Sequence, residues 1–366
     1  MATSIECSNH SETVITKSVK EMSINGDDPP STYLVRESKF GSIDTSAPTA
    51  TIPVIDLSLF YSSSSSSSTS PAESNELDKL RSALTSWGCF QLTGHGMSKE
   101  FLEKVRGITK GFFANPEEEK KKSGRQAGSA EGYGTDRVVS DNQILDWCDR
   151  LSLRIFPEDQ RKLNLWPNHP ENFSETLEEY GKNIKSIATL LFTAMAKSLN
   201  LETDSFSEKF SGRSILQARL ILYPPCPRPD QVFGLKAHSD RSGVTILLQD
   251  REVEGLQVRK DDEWFTVPII PDALFVNLGD QMQIMSNGIF KSPMHRVVTN
   301  NYREKISVAL FNEPEPEKEI GPVDGLIDED RPRLYRNVKN YAVFNYECFQ
   351  KGVVAIEEVR VYEDGA

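Results

Sequence analysis

Between Gly212 and about Phe311 the apolar residues no longer recur at helical spacing and fall instead into short alternating runs broken by Pro, Gly and Asp. Roughly eight strands of this kind in direct succession, with little chain between them, close upon themselves as a sandwich or jelly roll. Upstream, the pattern is helical. Leu77, Leu80, Leu84 and Trp87 predict a helix from Asn75 to Trp87 that stops at Gly88, with Cys89-Phe90-Gln91-Leu92 as the next strand. A second helix is expected from Ser98 to about Phe113. A third, from Ser174 to about Leu199, carries an apolar stripe of Leu177, Tyr180, Ile184, Ile187, Leu191 and Met195 that backs a core. The predicted class is α+β, a jelly-roll core with flanking helices.

Within the strand-rich stretch lie His238-Ser239-Asp240 and, after residues 241–294, Pro293-Met294-His295-Arg296-Val297. A bare H-x-D arises by chance in many proteins, and most histidines are simply hydrogen-bonded surface residues. Here the spacing fits strands: residues two apart on an extended strand share a face, whereas a helix turns them about 200° apart. Two imidazoles and one carboxylate can occupy one face of an octahedral iron(II) and leave three positions for chemistry. The lack of a fourth ligand argues against a closed structural zinc site.

The chain's 366 residues allow one large or two modest domains, and 37% hydrophobic content supports a substantial core. A net charge of −12 opposes nucleic acid and anionic membranes as partners. Cys7, Cys89, Cys148, Cys226 and Cys348 are scattered, odd in number and without C-x-x-C, which suits reduced thiols in the cytoplasm. The N-terminus has no apolar leader segment, and no run reaches the roughly 18 apolar residues of a membrane span. A soluble, cytoplasmic, monomeric enzyme acting on a small molecule is the expectation. Residues 1–50 read as a mostly disordered or loosely attached segment, 51–212 as a helical region, 213–313 as the jelly-roll core and 314–366 as a cover over the barrel mouth. The serine tract Ser62 to Ser68 reads as a flexible surface loop.

Further runs flank the histidines: Ala218-Arg219-Leu220-Ile221-Leu222-Tyr223-Pro224-Pro225-Cys226-Pro227, Thr245-Ile246-Leu247-Leu248-Gln249-Asp250, Glu254-Gly255-Leu256-Gln257-Val258, Asn277-Leu278-Gly279-Asp280 and Lys305-Ile306-Ser307-Val308. In this order, over roughly residues 50 to 350, the chain resembles the plant iron(II)/2-oxoglutarate dioxygenases, the family of anthocyanidin synthase and flavonol synthase. The resemblance implies a double-stranded β-helix in which His238, Asp240 and His295 hold Fe(II). It also implies chelation of 2-oxoglutarate (2OG), dioxygen at the last open position and ascorbate as reductant. Oxidative decarboxylation to succinate and carbon dioxide then drives hydroxylation, demethylation or desaturation of a small plant metabolite or hormone.

The same resemblance assigns Tyr223, Lys305 and Ser307 to the cosubstrate. Relatives usually place an arginine where this chain has Lys305, and that exchange is not conservative at a carboxylate site. Arg303, two residues earlier, would share the face on a strand; Ile306-Ser307-Val308-Ala309 sets the register in favour of Lys305. Ile221 replaces an asparagine of the usual Asn-x-Tyr-Pro run. These two exchanges keep open an iron oxidase that draws electrons from ascorbate or from its substrate, and a ligand-binding module without turnover is a third reading. The substrate positions implied are Arg150, Ser152, Arg219 and Phe311. Two arginines facing the cavity would suit a carboxylate-bearing substrate. His95 matches a structural position, and His10 and His169 carry no ligand pattern.

Overall fold

The computed structural model describes residues 17–35, 43–64, 70–126, 129–135, 143–351 and 353–361. Its strands are β1 (Val54–Asp56), β2 (Cys89–Thr93), β3 (Gly132–Gly134), β4 (Asp149–Phe156), β5 (Ile215–Tyr223), β6 (Phe233–His238), β7 (Val244–Gln249), β8 (Leu256–Lys260), β9 (Glu263–Thr266), β10 (Leu274–Leu278), β11 (His295–Val298), β12 (Lys305–Glu313), β13 (Glu319–Ile320) and β14 (Val338–Lys339). The helices are α1 (Val19–Asn25), α2 (Pro71–Ser86), α3 (Lys99–Ala114), α4 (Glu117–Lys122), α5 (Phe173–Ser198), α6 (Asp280–Met285), α7 (Tyr341–Lys351) and α8 (Ala355–Glu358).

Two sheets make the core. The larger has eight strands in the order β1-β2-β10-β7-β12-β5-β4-β3, and the smaller has four in the order β6-β11-β8-β9. Alternation along β12 shows why the chain folds this way. Ile306, Val308 and Leu310 join the cluster that also holds residues of α2, α3 and α5, while Lys305, Ser307, Ala309 and Phe311 point to the opposite face and line a cavity. β5 does the same, with Ala218, Leu220 and Leu222 under the helices and Arg219, Ile221 and Tyr223 inside. Between the sheets, Ile221, Tyr223 and Phe275 of the larger pack against Leu256, Val258 and Val297 of the smaller. The result is a jelly roll whose apolar cluster between the sheets continues into the wall of the cavity.

The helical layer obeys the predicted stripe. Leu177, Tyr180, Ile184, Ile187, Leu191 and Met195 of α5 are all buried, each contributing roughly 1.5–3 kcal/mol by leaving water. α2 begins earlier than its apolar pattern suggests, because the Ser70 side chain accepts the Glu73 N–H and Pro71 takes the first turn. α3 starts at the Ser98 cap and ends before Asn115-Pro116. At Gly88, which follows α2 with φ +68°, a side chain would lie 2.4 Å from the Lys291 carbonyl oxygen. Only glycine fits that turn.

Several boundaries differ from the sequence reading. The first 50 residues are not uniformly loose, for α1 carries a capping box at Ser18 and Glu21, and Val19, Met22 and Tyr33 bury against Trp147 and Val232. Asp149 fixes this helix by accepting the N–H groups of Val19 and Lys20, each at 2.9 Å. Residues 51–212 are not a separate helical body, since β1 to β4 complete the larger sheet. Among the described residues, none beyond residue 313 lines the cavity. Tyr341, Cys348, Ile356 and Val359 instead join the helical-side cluster that includes Met282 and Ile284 of α6. In the serine tract, Leu57–Ser64 is a 3-10 helix, and residues 65–69 lie outside the described part, as do His10 and Cys7. No helix among the described residues is long and apolar enough to cross a membrane.

Candidate metal and cosubstrate site

β6 ends at His238 and β11 begins at His295, and the two are direct partners in antiparallel register. Their rings therefore meet, with centroids 4.3 Å apart. Asp240 does not continue the strand as the two-residue spacing suggests. It sits in the turn after β6, where its carbonyl accepts the Asp280 N–H at 2.7 Å. The turn still delivers the carboxylate, with Asp240 Oδ1 lying 3.6 Å from His238 Nε2 and 3.7 Å from His295 Nε2. One ligand atom from each residue falls within 4.8 Å of the others. Ligands about 2.1 Å from a shared ion at right angles stand about 3 Å apart, so small side-chain shifts complete the grip.

Hydrogen bonds on the far side of each ligand select the atom turned to the metal. His238 Nδ1 lies 2.8 Å from the Lys236 carbonyl oxygen and His295 Nδ1 3.1 Å from that of Pro293. A carbonyl only accepts, so each Nδ1 holds the proton and each Nε2 presents a lone pair. Asp240 Oδ2 accepts from Thr245 Oγ1 at 2.6 Å and from Asn277 Nδ2 at 2.8 Å, leaving Oδ1 for the ion. Burial pushes the Asp240 carboxyl up, but His295, His238 and the Thr245 hydroxyl outweigh it and hold the group well below the usual carboxylate range. His295 is pushed down to about 4, first by burial and then by the neighbouring His238. Burial pulls His238 down too, but the Asp240 carboxylate wins and holds it above its ordinary value. Two imidazole nitrogens beside an ionised carboxylate are the donor set that suits Fe(II). Thr245 and Asn277 were not singled out from the sequence; the signal was a polar side chain at each of two inward positions in otherwise apolar strands.

The cosubstrate positions fall on the same cavity wall. Lys305 opens β12, 2% exposed, opposite Tyr223 on β5. Burial pushes its ammonium down to about 8 against the pull of Asp250 and Glu254. Arg303 lies outside the strand, with its side chain 55% exposed and paired to Glu252 at 2.5 Å. Of the two, Lys305 and not Arg303 faces the cavity. The Tyr223 hydroxyl is hydrogen-bonded to Ser307, and burial raises it above its ordinary value. A buried ammonium on the same cavity wall as two hydroxyls fits the far carboxylate of 2OG. Ile221 adds an apolar wall.

The substrate positions divide. Arg219 and Phe311 line the cavity, the guanidinium carbon 5.0 Å from the ring centroid. Arg219 is pushed down to about 10 by burial, then by Arg150 and Arg241. Arg150 and Ser152 pair with Ile221 and Arg219 across β4 and β5 and so share the inward face. Neither lines the cavity, contrary to expectation. Arg150 Nη2 turns to Asp146 Oδ2 at 3.1 Å, and Ser152 is covered at 2% exposure. His95 is structural, its ring bridging the Asp272 carbonyl and the Met97 N–H.

Known proteins agree with this geometry. Residues 211–314 match the 2OG-Fe(II) oxygenase superfamily, and residues 52–169 match the N-terminal region described as non-haem dioxygenase in morphine synthesis. Codeine O-demethylase of Papaver somniferum is 42% identical over 78% of this chain and 78% of its own length. Jasmonate-induced oxygenase 4 of Arabidopsis thaliana is 39% identical over 71% of this chain and 74% of its own. The crystal structure of JOX2 in complex with 2OG, Fe, and JA superimposes with a TM-score of 0.83 at 31% identity, covering 94% of this chain and 98% of that one. These matches support the superfamily and not, in particular, the anthocyanidin synthase branch. With a His238-Asp240-His295 donor set that suits Fe(II) and relatives at this identity, the chain belongs to the 2OG-Fe(II) oxygenase superfamily and is an Fe(II)/2OG-dependent dioxygenase.

Proposed function

We propose that this dioxygenase oxidises a C–H bond of a small plant metabolite or hormone bearing a carboxylate, by hydroxylation or by the related demethylation. Arg219 carries the reading. Its guanidinium is half-buried at the cavity wall over the Phe311 ring, and its Nε is buried with no hydrogen-bond partner among the described residues. A cation drawn out of water without a partner is costly, and an anionic ligand group would offset that cost. Phe311 offers a flat apolar surface to the rest of such a ligand. The demethylases and the JA-bound JOX2 structure among the relatives support oxidation of small plant molecules, and the carboxylate rests on Arg219.

Bound Fe(II) supplies the redox chemistry that couples 2OG decarboxylation to C–H oxidation. His238, Asp240 and His295 would hold it. Lys305, Tyr223 and Ser307 would bind the far end of 2OG, and Leu247, Phe275 and Val297 keep the cavity wall apolar. A cytoplasmic monomer remains part of the proposal, supported by the acidic charge and the scattered cysteines. The test is a screen of plant acids by mass shift, followed by each active acid against its methyl ester. The reading expects succinate release to track the acid, with turnover falling at least about tenfold for the ester, as loss of a charge-assisted contact implies. Equal turnover of both forms would overturn it.

A further inference from the structure

Asp146 is buried just before β4, beyond the iron ligands, and it ties the two sheets together. Its Oδ1 accepts the backbone N–H of Lys236 at 2.9 Å and the Lys236 ammonium at 2.6 Å, while its Oδ2 accepts Arg150 Nη2 at 3.1 Å. Lys236 belongs to β6, an edge strand of the smaller sheet. There the pairing with β11 slips: His295 faces His238, but Val297 faces Leu235, so three steps along β6 match two along β11. That bulge at Lys236-Ala237 takes the Lys236 N–H out of register just before the metal ligand, and Asp146 receives it. Bulges beside active sites re-aim a side chain, and something must hold the displaced backbone. The carbonyl of the same residue accepts the Nδ1 proton of His238 at 2.8 Å. Trp147, the next residue after Asp146, donates its N–H to the Phe233 carbonyl at 2.9 Å and pins the start of β6.

We infer that Asp146 is a positioning residue for the metal centre. By holding the bulged Lys236 backbone it sets the ring orientation of His238, and through Arg150 it places the inward face of β4 in the same hydrogen-bonded unit. The inference rests on the ferrous site described above and goes beyond it, since no atom of Asp146 is a metal ligand. The Lys236 side chain is the dispensable part: the backbone N–H and carbonyl that carry the link remain when it is truncated.

The test uses the purified full-length protein freed of metal, with Mn(II) binding followed by EPR of the free ion and ligand geometry followed by the d–d absorption of the Co(II)-substituted protein. Asp146→Ala is expected to weaken Mn(II) binding by about ten- to hundred-fold and to shift the Co(II) bands, as loss of a ligand-orienting partner does, whereas Lys236→Ala stays within about twofold of wild type. Asp146→Asn, which keeps an oxygen for the N–H but sheds the charge, should lose about three- to tenfold. A folded Asp146→Ala protein with wild-type affinity and spectrum overturns the inference, and so does a Lys236→Ala protein as impaired as Asp146→Ala. Should Asp146→Ala fail to fold, an Asp146→Asn protein indistinguishable from wild type in both readouts overturns it. Wild-type protein that binds neither ion would instead refute the metal site itself.

Discussion

Replacing Lys305 by methionine removes one of the two cations that line the cavity, the other being Arg219, and keeps an unbranched side chain of similar length. Lys305 is 2% exposed, and among the described residues its ammonium has no carboxylate within 4.0 Å, so in the proposed role the far carboxylate of 2OG would supply its partner. Truncating one member of such a buried charge pair costs roughly 2–5 kcal/mol. At about 1.4 kcal/mol per factor of ten, 2OG affinity should fall roughly 30- to 3,000-fold. The sign with pH follows from the depressed value of about 8. Below it the amine is charged and binds. Above it each further unit should weaken 2OG binding about tenfold, because the site must first take up a proton. Lys305→Arg keeps its charge throughout and should show flat affinity over this range. In the free protein the folded value lies below the ordinary lysine value, so the unfolded chain binds more protons between the two. Stability should therefore rise with pH across that window in wild type but not in Lys305→Met. Anaerobic calorimetry of 2OG binding to the Mn(II) form, with thermal melts alongside, measures both. A Lys305→Met protein that binds 2OG within about threefold of wild type, where the 2 kcal/mol floor demands 30-fold, would refute the assignment.

Three further outcomes follow from the geometry. Asn277→Leu removes one of the two donors to Asp240 Oδ2 and should weaken Mn(II) binding by about ten- to hundred-fold, read by EPR of the free ion. Gly181→Ala sits in α5, where alanine alone would favour the helix by about 1 kcal/mol, but the new methyl would lie 2.6 Å from Ile155 Cγ2. The overpacking cost of about 1–3 kcal/mol should win, and a fall in urea midpoint is expected where helix propensity alone predicts a rise. Arg219→Gln should raise KM for an acidic substrate at least about tenfold while leaving 2OG affinity, measured by calorimetry, near wild type.

The parts of the architecture that repeat were readable in the chain. Alternation between Gly212 and Phe311 announces the strands that carry the site, and the heptad-like stripe of α5 announces its backing. The ligands were readable because chemistry restricts which side chains can share an ion. Lys305 and Arg303 share a strand face in the sequence, and what separates them is a tertiary fact: β12 begins at Lys305 and leaves Arg303 to solvent and Glu252. Arg150 turns to Asp146, four residues before it, and Asp146 is held in place by the Lys236 backbone 90 residues on, a link that no local pattern reports. The packing of α1 was legible and overlooked, because Ser18-Val19-Lys20-Glu21 is a capping box inside a mostly polar stretch. The short helix α6, lodged between β10 and β11, gave no periodic signal in its six residues.

Titration of the anaerobic protein with Fe(II) and 2OG tests the central claim most directly. The account predicts a weak visible charge-transfer band that saturates at one equivalent of iron and is lost in His295→Ala. No band in wild type, or an undiminished band in His295→Ala, would contradict it.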